Sequence, residues 1–345
     1  MNTSRVQIVE VFDKGLYDPA GLCAHAPFTQ AYFYGEWQRA VGRTVRRFVI
    51  REHASVVGSV QIILYRLPFG KLYAYAPYGP VFANSPSPEV LAEFARFCLE
   101  FARKEGAVFL RLDPTVCREK CDDVLWQQCM RKAPHASQHA SQVQPRAEWR
   151  LDVSVAPEEL LQQFHKNTRY SIRVSEKHGI ETRIIDHAIS SVFETFFDIL
   201  QETSRRDGFS LHPRAYYEAI FSQCDKDENA IVVLSSYKDR VLAANLVVMY
   251  GNTAMFVFGG TRSEHRDLMP AYAAQWATMR FLHEKQVRWY NFGGVTDDLD
   301  KRAEWRGLTA FKKRFGGELL QHSMLYDVVA QPLWYFLYTI YKRFR

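Results

Sequence analysis

A short segment near the C-terminus combines aromatic rings, three cations and a pair of glycines: Phe311-Lys312-Lys313-Arg314-Phe315-Gly316-Gly317. Aromatic side chains stack on nucleobases and cations hold phosphates, so this composition suits a nucleotide or the end of an RNA. The same pattern also fits the end of an amphipathic helix, with Phe311 and Phe315 in the core and the cations complementing the helix dipole. Both interpretations can hold together.

Four cations follow one face of a predicted helix: Lys166, Arg169, Arg173 and Lys177. On a helical wheel they fall within about 80° of each other, opposite an apolar face. Like charges at this spacing repel unless an anion lies between them, so the stripe could follow a polyphosphate or an RNA backbone. A solvated helix surface is the alternative, and the wheel alone does not choose between the two.

A third segment, Asn291-Phe292-Gly293-Gly294-Val295, runs from a predicted strand into paired glycines. Glycine permits positive φ and a close approach of the backbone, so this segment could form the wall of a ligand groove. A tight turn is the alternative on local grounds. The segment holds no GxGxxG or GxxxxGK[ST] pattern, which leaves dinucleotide and Walker-type phosphate sites without support.

Hydrolytic machinery and a metal site are not indicated by any motif. The chain holds no GxSxG or HExxH pattern and offers no obvious general base, which fits a reaction whose substrate arrives already activated. Cysteines and histidines gather at Cys117, Cys121, Cys129, His135 and His139, but their spacing matches no zinc pattern. We therefore expect no bound metal.

Length and charge limit the classes to which this protein can belong. The 345 residues suggest about two domains, and 47% hydrophobic residues exclude a disordered chain. The formal net charge is +6, and residues 301–345 alone hold nine basic and three acidic side chains, so the excess lies in that segment. The N-terminus lacks an apolar signal region and the apolar runs are shorter than a membrane span. We expect a cytoplasmic protein with free thiols.

Hydrophobic periodicity predicts two successive α/β units, each a mostly antiparallel meander flanked by helices. The predicted helices are 28–41, 86–104, 157–177, 190–206, 213–224 and 270–284. The predicted strands are 46–51, 56–65, 72–75, 108–112, 149–153, 181–185, 230–236, 241–250, 253–258 and 289–292.

Several motifs in the same order resemble the Fem family of peptidoglycan-bridge aminoacyltransferases. The resemblance rests on Tyr75–Val81, Gln144-Pro145 with Leu151–Val153, His165–Arg173, Thr203–Phe209, Phe292–Val295, Gly307–Gly317, Tyr326–Val329 and Pro332–Tyr335. No single motif would suffice, and together they cover nearly the whole chain.

The resemblance implies two tandem GNAT (acyl-CoA N-acyltransferase-like) domains of class α/β (α+β), with mixed, mostly antiparallel sheets flanked by helices. The first would comprise residues 1–153 plus 325–345, with the last helix returning to it, and the second residues 154–324. Some family members carry a long two-helix arm in the second domain. Only about 20 residues separate Gly208 from Ala230 here, which indicates the form without an arm.

The activity implied by the resemblance is transfer of an amino acid (Gly, Ala or Ser) from aminoacyl-tRNA to the stem-peptide side-chain amine of a peptidoglycan precursor. The precursor would be UDP-MurNAc-pentapeptide or lipid II. The implied enzyme is a monomer that needs no cofactor, because the acyl ester on the tRNA is already activated. It must orient the amine and stabilise a tetrahedral oxyanion.

Site residues follow from the same resemblance. Phe311 would stack on the terminal base of the tRNA, and Lys312 would hold its phosphate and favour the transition state, with Lys313 and Arg314 beside them. The diphosphate of the precursor would need cations in the first domain and at the domain junction. The candidates for precursor binding are Arg39, Arg206, His212, Arg214 and Tyr216.

Two other classes of function stay open. One is another double-GNAT aminoacyl-tRNA-dependent transferase, acting on a phospholipid or a protein N-terminus. The other is a non-catalytic module that binds RNA or a membrane through its basic tail. The tail, residues 332–345, is aromatic and ends in cations, so peripheral contact with the inner membrane surface is also an expectation.

Overall fold

The chain folds into two compact units in a computed structural model that describes residues 6–116, 123–133, 144–296 and 305–343. The first unit comprises Met1–Arg146, Asp297–Lys301 and Gln321–Arg345, and the second Ala147–Thr296 and Arg302–Leu320. The C-terminal segment therefore returns to the first unit.

The described residues form sixteen strands and eleven α-helices. The strands are β1 (Val6–Glu10), β2 (Thr44–Glu52), β3 (Ser55–Arg66), β4 (Leu72–Ala76), β5 (Val81–Phe82), β6 (Ala107–Leu112), β7 (Thr115–Val116), β8 (Arg131–Lys132), β9 (Ala147–Asp152), β10 (Ile180–Ile185), β11 (Ala230–Tyr237), β12 (Arg240–Tyr250), β13 (Thr253–Thr261), β14 (Trp289–Gly294), β15 (Glu318–Gln321) and β16 (Tyr326–Val329). The helices are α1 (Pro19–Leu22), α2 (Tyr32–Ala40), α3 (Pro88–Lys104), α4 (Asp123–Cys129), α5 (Pro157–Gln163), α6 (Lys166–Lys177), α7 (Phe193–Asp207), α8 (Arg214–Asp227), α9 (Pro270–Glu284), α10 (Arg306–Lys313) and α11 (Pro332–Arg343).

The sheet of the first unit has the strand order β1-β2-β3-β4-β6-β16-β8, with β5 and β7 joined to it through β3. Pairing is antiparallel except between β4 and β6 and between β5 and β7. Alternate residues of the central strands, such as Ile62 and Leu110, pack against Phe94 of α3 in the core. The mixed sheet flanked by helices confirms the predicted fold class.

The last helix, α11, is held against this sheet by a buried ion pair. The guanidinium group of Arg111 donates two hydrogen bonds to Asp327, of 2.8 Å and 2.7 Å, and Tyr335 of α11 donates a third of 2.7 Å to the same carboxylate. The Tyr335 ring also meets the Phe109 ring edge-on. The expected return of the last helix to the first unit is therefore seen.

The sheet of the second unit has the order β10-β11-β12-β13-β14-β9-β15, antiparallel in β10–β13 and parallel between β13 and β14. Helix α9 contributes Ala274 and Met279 to the core beneath Ile231 and Val247. Because β9 pairs with β14, the units divide after Arg146, whereas the sequence predicted a division after 153 that assigned this strand to the first domain.

Two predicted helices are shorter than expected. The segment 157–177 is not one helix, because Phe164 and His165 are extended and separate α5 from α6. The break lets the Phe164 ring enter the core against Trp276 and Phe315. The segment 28–41 starts with a 3₁₀ turn, and α2 begins only at Tyr32.

The second unit has no two-helix arm within residues 144–296, which are described without a gap. Helix α8 is the whole helical content between α7 and β11. This agrees with the prediction of an arm-less form. None of the helices in the described part of the chain combines the length and apolarity that crossing a bilayer requires.

Candidate functional site

The structure brings two of the sequence motifs together at Lys312. This residue lies in the last turn of α10, and its side chain is buried, with 5% exposure. Its Nζ donates a 2.6 Å hydrogen bond to the carbonyl oxygen of Gly294 at the end of β14. The Asn291–Val295 segment and the Phe311–Gly317 segment are therefore parts of one site in the second unit.

A hydrogen-bonded turn holds the Gly294 carbonyl in place. The amide N–H of Gly293 donates to Asn291 Oδ1 at 2.8 Å, and Gly293 adopts a φ of +74°, which favours glycine. Asn291 Nδ2 in turn donates to Glu148 Oε2 on the neighbouring strand β9 at 2.7 Å. Both Asn291 and Glu148 are buried. Three elements, β9, β14 and α10, thus fix the position of the Lys312 ammonium group.

Burial changes the acidity of the Lys312 ammonium group. Desolvation lowers its pKa from 10.5 to about 8, and the carboxylate of Glu148 partly opposes this by favouring the charged form. A buried lysine with such a pKa carries its charge at neutral pH at an energetic cost. This combination of burial, a perturbed pKa and a charged partner is typical of functional sites.

The aromatic residues of the Phe311–Gly317 segment have different environments. Phe315 is fully buried and contacts Phe164, Phe292 and Tyr272. Phe311 is only partly buried, with its ring edge-on to Tyr272 at 5.1 Å between centroids. The amphipathic-helix interpretation is therefore confirmed for Phe315, while part of the Phe311 ring stays available to a ligand.

Lys313 and Arg314 expose their side chains next to this site. The Lys313 Nζ lies 5.2 Å from the centre of the Trp149 ring. The backbone carbonyl of Arg314 accepts hydrogen bonds from His165 N at 2.8 Å and from Thr168 Oγ1 at 3.0 Å, which ties the end of α10 to the start of α6. Two cations beside Phe311 could hold the phosphates of a bound nucleotide.

The predicted cation stripe is only partly free. Lys166, Arg173 and Lys177 are exposed on α6. Arg169 is half-buried, and its Nη1 donates to the carbonyls of Gln162 and Phe164 at the end of α5. The break between α5 and α6 leaves backbone carbonyl groups that the Arg169 guanidinium satisfies, so Arg169 has protein partners in addition to its place in the stripe.

Arg39, the candidate for precursor binding in the first unit, lies at the end of α2. Its Nη1 pairs with Glu36 Oε1 at 2.8 Å, and its Nη2 donates to the Val45 carbonyl at 3.0 Å. Glu36 also pairs with the buried Arg47 at 2.8 Å. Arg39 is still 41% exposed, so it could bind an anion only in addition to these partners.

The four candidates in the second unit do not form one cluster. Arg206, at the end of α7, donates to the carbonyl of Thr261 at 2.6 Å and pairs with Asp207. Arg214 pairs with Glu194 at the other end of α7. The stretch from Glu194 to Arg206 spans about 18 Å along the helix axis, so the two guanidinium groups are anchored at opposite ends of α7.

His212 and Tyr216 are neighbours at the start of α8. Their ring centroids are 4.1 Å apart, and the backbone N–H of His212 donates to the Tyr217 hydroxyl at 3.3 Å. Tyr216 is partly buried and His212 is exposed. The structure therefore groups this aromatic pair, while Arg206 and Arg214 bind other partners.

Glu148 and Asn291 were missed as site residues in the sequence. Asn291 lies in the segment that the sequence analysis interpreted as a groove wall. That interpretation rested on the two glycines and gave Asn291 no role. Glu148 precedes the predicted strand 149–153 as a single acid and carries no motif, whereas in the structure it lies within β9. Its position becomes significant only because β9 pairs with β14, which is a long-range contact.

Within the described part of the chain, no group of three or more His, Cys, Asp or Glu side chains lies where it could hold a metal ion. Cys129 is a free thiol. The other members of the Cys/His cluster considered above, Cys117, Cys121, His135 and His139, lie outside the described residues, as do 134–143 in general.

The fold and the site define a tandem GNAT-like protein with a buried lysine in its second unit. The model of the FemAB family matches residues 24–237 and 223–343, so the chain belongs to this family. Curated relatives include the lipid II:glycine glycyltransferase of Staphylococcus epidermidis, 21% identical over 377 aligned positions, and that of Staphylococcus aureus, 22% identical over 384. Each comparison covers 90% of both chains.

Solved structures show the same fold. The crystal structure of FemX matches with a TM-score of 0.81 at 19% identity, covering 96% of this chain and 99% of that one. A tandem GNAT protein from the clavulanic acid biosynthesis pathway matches with a TM-score of 0.53 at 13% identity, covering 94% and 98%. These likenesses establish the two-unit GNAT-like architecture.

Proposed function

We propose that this chain is an aminoacyltransferase that adds an amino acid from aminoacyl-tRNA to the stem-peptide side-chain amine of a peptidoglycan precursor. The observation that carries the proposal is the buried Lys312, held on the Gly294 carbonyl in a member of the FemAB family. The names of the curated relatives support glycine as the amino acid and lipid II as the acceptor. The experiment distinguishes these substrates from the alternatives, which are alanine or serine as the amino acid and UDP-MurNAc-pentapeptide as the acceptor.

The proposed reaction needs little chemistry from the protein. The neutral acceptor amine attacks the ester carbonyl of the aminoacyl-tRNA, the ester C–O bond breaks, and an amide bond forms. The proton that leaves the amine balances the ribose oxygen that departs as a hydroxyl group. No cofactor is required, because the ester already stores the activation energy.

Lys312 would stabilise the negative charge that develops during this step. With a pKa of about 8 its ammonium group is mostly protonated at neutral pH. Because it is desolvated, its interaction with a developing oxyanion or with the terminal phosphate of the tRNA is stronger than in water. The partly exposed Phe311 ring, next to it on α10, would stack on the terminal base.

The test combines the purified protein with charged tRNA and either lipid II or UDP-MurNAc-pentapeptide. We expect one precursor to gain the mass of a single amino acid, and no gain with deacylated tRNA. Lys312→Ala should abolish transfer and leave precursor binding nearly unchanged by calorimetry. Lys226→Ala, which removes an exposed lysine on α8, is the matched control and should retain transfer.

Two results would refute the proposal. If neither precursor gains an amino acid, the chain is not a precursor-modifying transferase, and phosphatidylglycerol and peptides with free N-termini offered in the same assay test the other acceptors. If Lys312→Ala transfers as well as the unmodified protein, Lys312 has no role in the reaction.

A further inference from the structure

One face of α11 carries large apolar side chains that are exposed to solvent. We call Leu333, Phe336, Leu337, Ile340 and Tyr341 the outer face of α11. Leu333 is 70% exposed and Phe336 59%. At about 100° per residue these five positions fall within an arc of about 140°. The chain thus presents a continuous apolar stripe along a helix at its surface.

A neighbouring turn extends this stripe. Phe69 lies at the tip of the turn between β3 and β4 and is 87% exposed. Its ring centroid is 6.4 Å from that of Trp334 in α11, and the Nζ of Lys71 lies 4.6 Å from the same Trp334 ring. Together, Phe69 and the outer face hold six of the fifteen exposed large apolar side chains among the described residues, which makes this a patch rather than scattered exposure.

The outer face cannot be hidden by rotation of the helix. On the opposite side of α11, Tyr335 is 3% exposed and donates to Asp327, and the Tyr338 hydroxyl accepts a 3.5 Å hydrogen bond from Arg111. Turning α11 would break these buried hydrogen bonds and leave a charged pair without its partners, which is costly. The apolar stripe is therefore a fixed feature of the first unit.

The sequence stretches that carry the patch contain basic side chains and no acidic ones. Residues 53–88, which include the Phe69 turn, contain no Asp or Glu, and neither do residues 328–345, which include α11. The same stretches contain Arg66 and Lys71, and the chain ends in Lys342-Arg343-Phe344-Arg345. Two copies of this patch facing each other would repel, whereas an anionic surface would be attracted.

We propose that the outer face of α11 and Phe69 insert into the headgroup region of an anionic phospholipid bilayer, with α11 lying in the plane of the interface. An amphipathic helix with aromatic and aliphatic side chains on one face and adjacent cations has the composition of such interfacial helices. This surface lies in the first unit, whereas Lys312 belongs to the second unit. It would place the protein where a lipid-linked acceptor resides.

The experiment measures sedimentation of the full chain with vesicles of phosphatidylcholine, with and without phosphatidylglycerol. It needs neither tRNA nor precursor, so it can fail while the proposed transfer activity holds, and the reverse. We expect binding to the phosphatidylglycerol vesicles, with a loss at high salt because the attraction is screened.

Substitutions test whether the outer face of α11 is the surface that binds the vesicles. L333S/F336S/I340S should weaken partitioning on the order of a hundredfold, since three inserted apolar side chains are lost. Arg66→Glu should weaken it about tenfold or more, through the reversed charge near the lipid surface. The matched control F12S/L16S removes two exposed apolar side chains at other positions of the first unit and should bind like the unmodified protein.

The affected side chains are exposed, so the melting temperatures of all variants should match, and circular dichroism checks this. Binding that is the same with and without phosphatidylglycerol, or that survives L333S/F336S/I340S, overturns the proposal. Absence of vesicle binding together with a dimer in sedimentation velocity that the triple variant abolishes also overturns it, in favour of a second copy as the occupant.

Discussion

Replacing Lys312 by methionine tests the central physical claim about the site, namely that a lysine is buried there against its preference for water. Burial lowers the pKa of Lys312 from 10.5 to about 8. A difference of this size between the unfolded and folded chain corresponds to about 3 kcal/mol of unfolding free energy. Methionine has a similar length and carries no charge, so the variant removes this cost.

The sign follows from proton binding. Below about pH 8 both the folded and the unfolded chain hold the proton on Lys312, and the folded chain bears the full cost of burying the charge. Between about pH 8 and 10.5 the unfolded chain binds more protons, so the stability contributed by this group rises with pH. Above that range the gain is complete.

The measurement is urea unfolding of both proteins at a series of pH values, because subtracting the two curves cancels the other titrating groups. We expect the unfolding free energy of the unmodified protein minus that of Lys312→Met to increase by about 3 kcal/mol between pH 8 and 10.5. Loss of the hydrogen bond to Gly294 shifts the whole difference by a constant of about 1–3 kcal/mol without changing its slope. A difference between the two proteins that stays flat from pH 8 to 10.5 would refute the buried-charge argument.

Two further predictions concern the same unit. If Lys312 acts as a cation, the transfer rate falls as the pH rises through about 8. Glu148→Gln should move this fall to lower pH, because the Glu148 carboxylate raises the pKa of Lys312. A pH–rate profile measures both effects, and a profile that Glu148→Gln leaves unchanged argues against the coupling of the two residues. Gly317→Ala should destabilise the fold by about 2 kcal/mol or more, because φ is +93° and a Cβ would lie 2.3 Å from the Arg150 carbonyl oxygen. Gly307→Ala, where a Cβ meets nothing within 4 Å on helix α10, should instead stabilise by up to about 1 kcal/mol; similar melting temperatures for both variants would contradict this contrast.

Local patterns predicted many elements to within a residue or two. Helix α9 has the predicted bounds, and β11 and β12 each differ from the prediction by one residue, because β-branched runs and helical periodicity are local signals. The order of motifs also indicated the family. The prediction of a single helix over 157–177 is wrong, because the burial of Phe164 against residues more than a hundred positions away outweighs local helix propensity.

For the candidate site, the sequence by itself determined which segments carry chemistry, since the cations, aromatic residues and glycines are recognisable by type and spacing. Only the tertiary structure decided that Lys312 is buried on the Gly294 carbonyl, that Glu148 and Asn291 support this contact, and that Arg169 is bound by backbone carbonyls. The physical reason is that charge and spacing are properties of the chain, whereas desolvation and hydrogen-bond partners depend on which distant strands pair. The sequence of a lysine motif is identical whether the ammonium group lies in water or in the core. For Lys312, the pairing of β9 with β14 decides which of the two environments the group has.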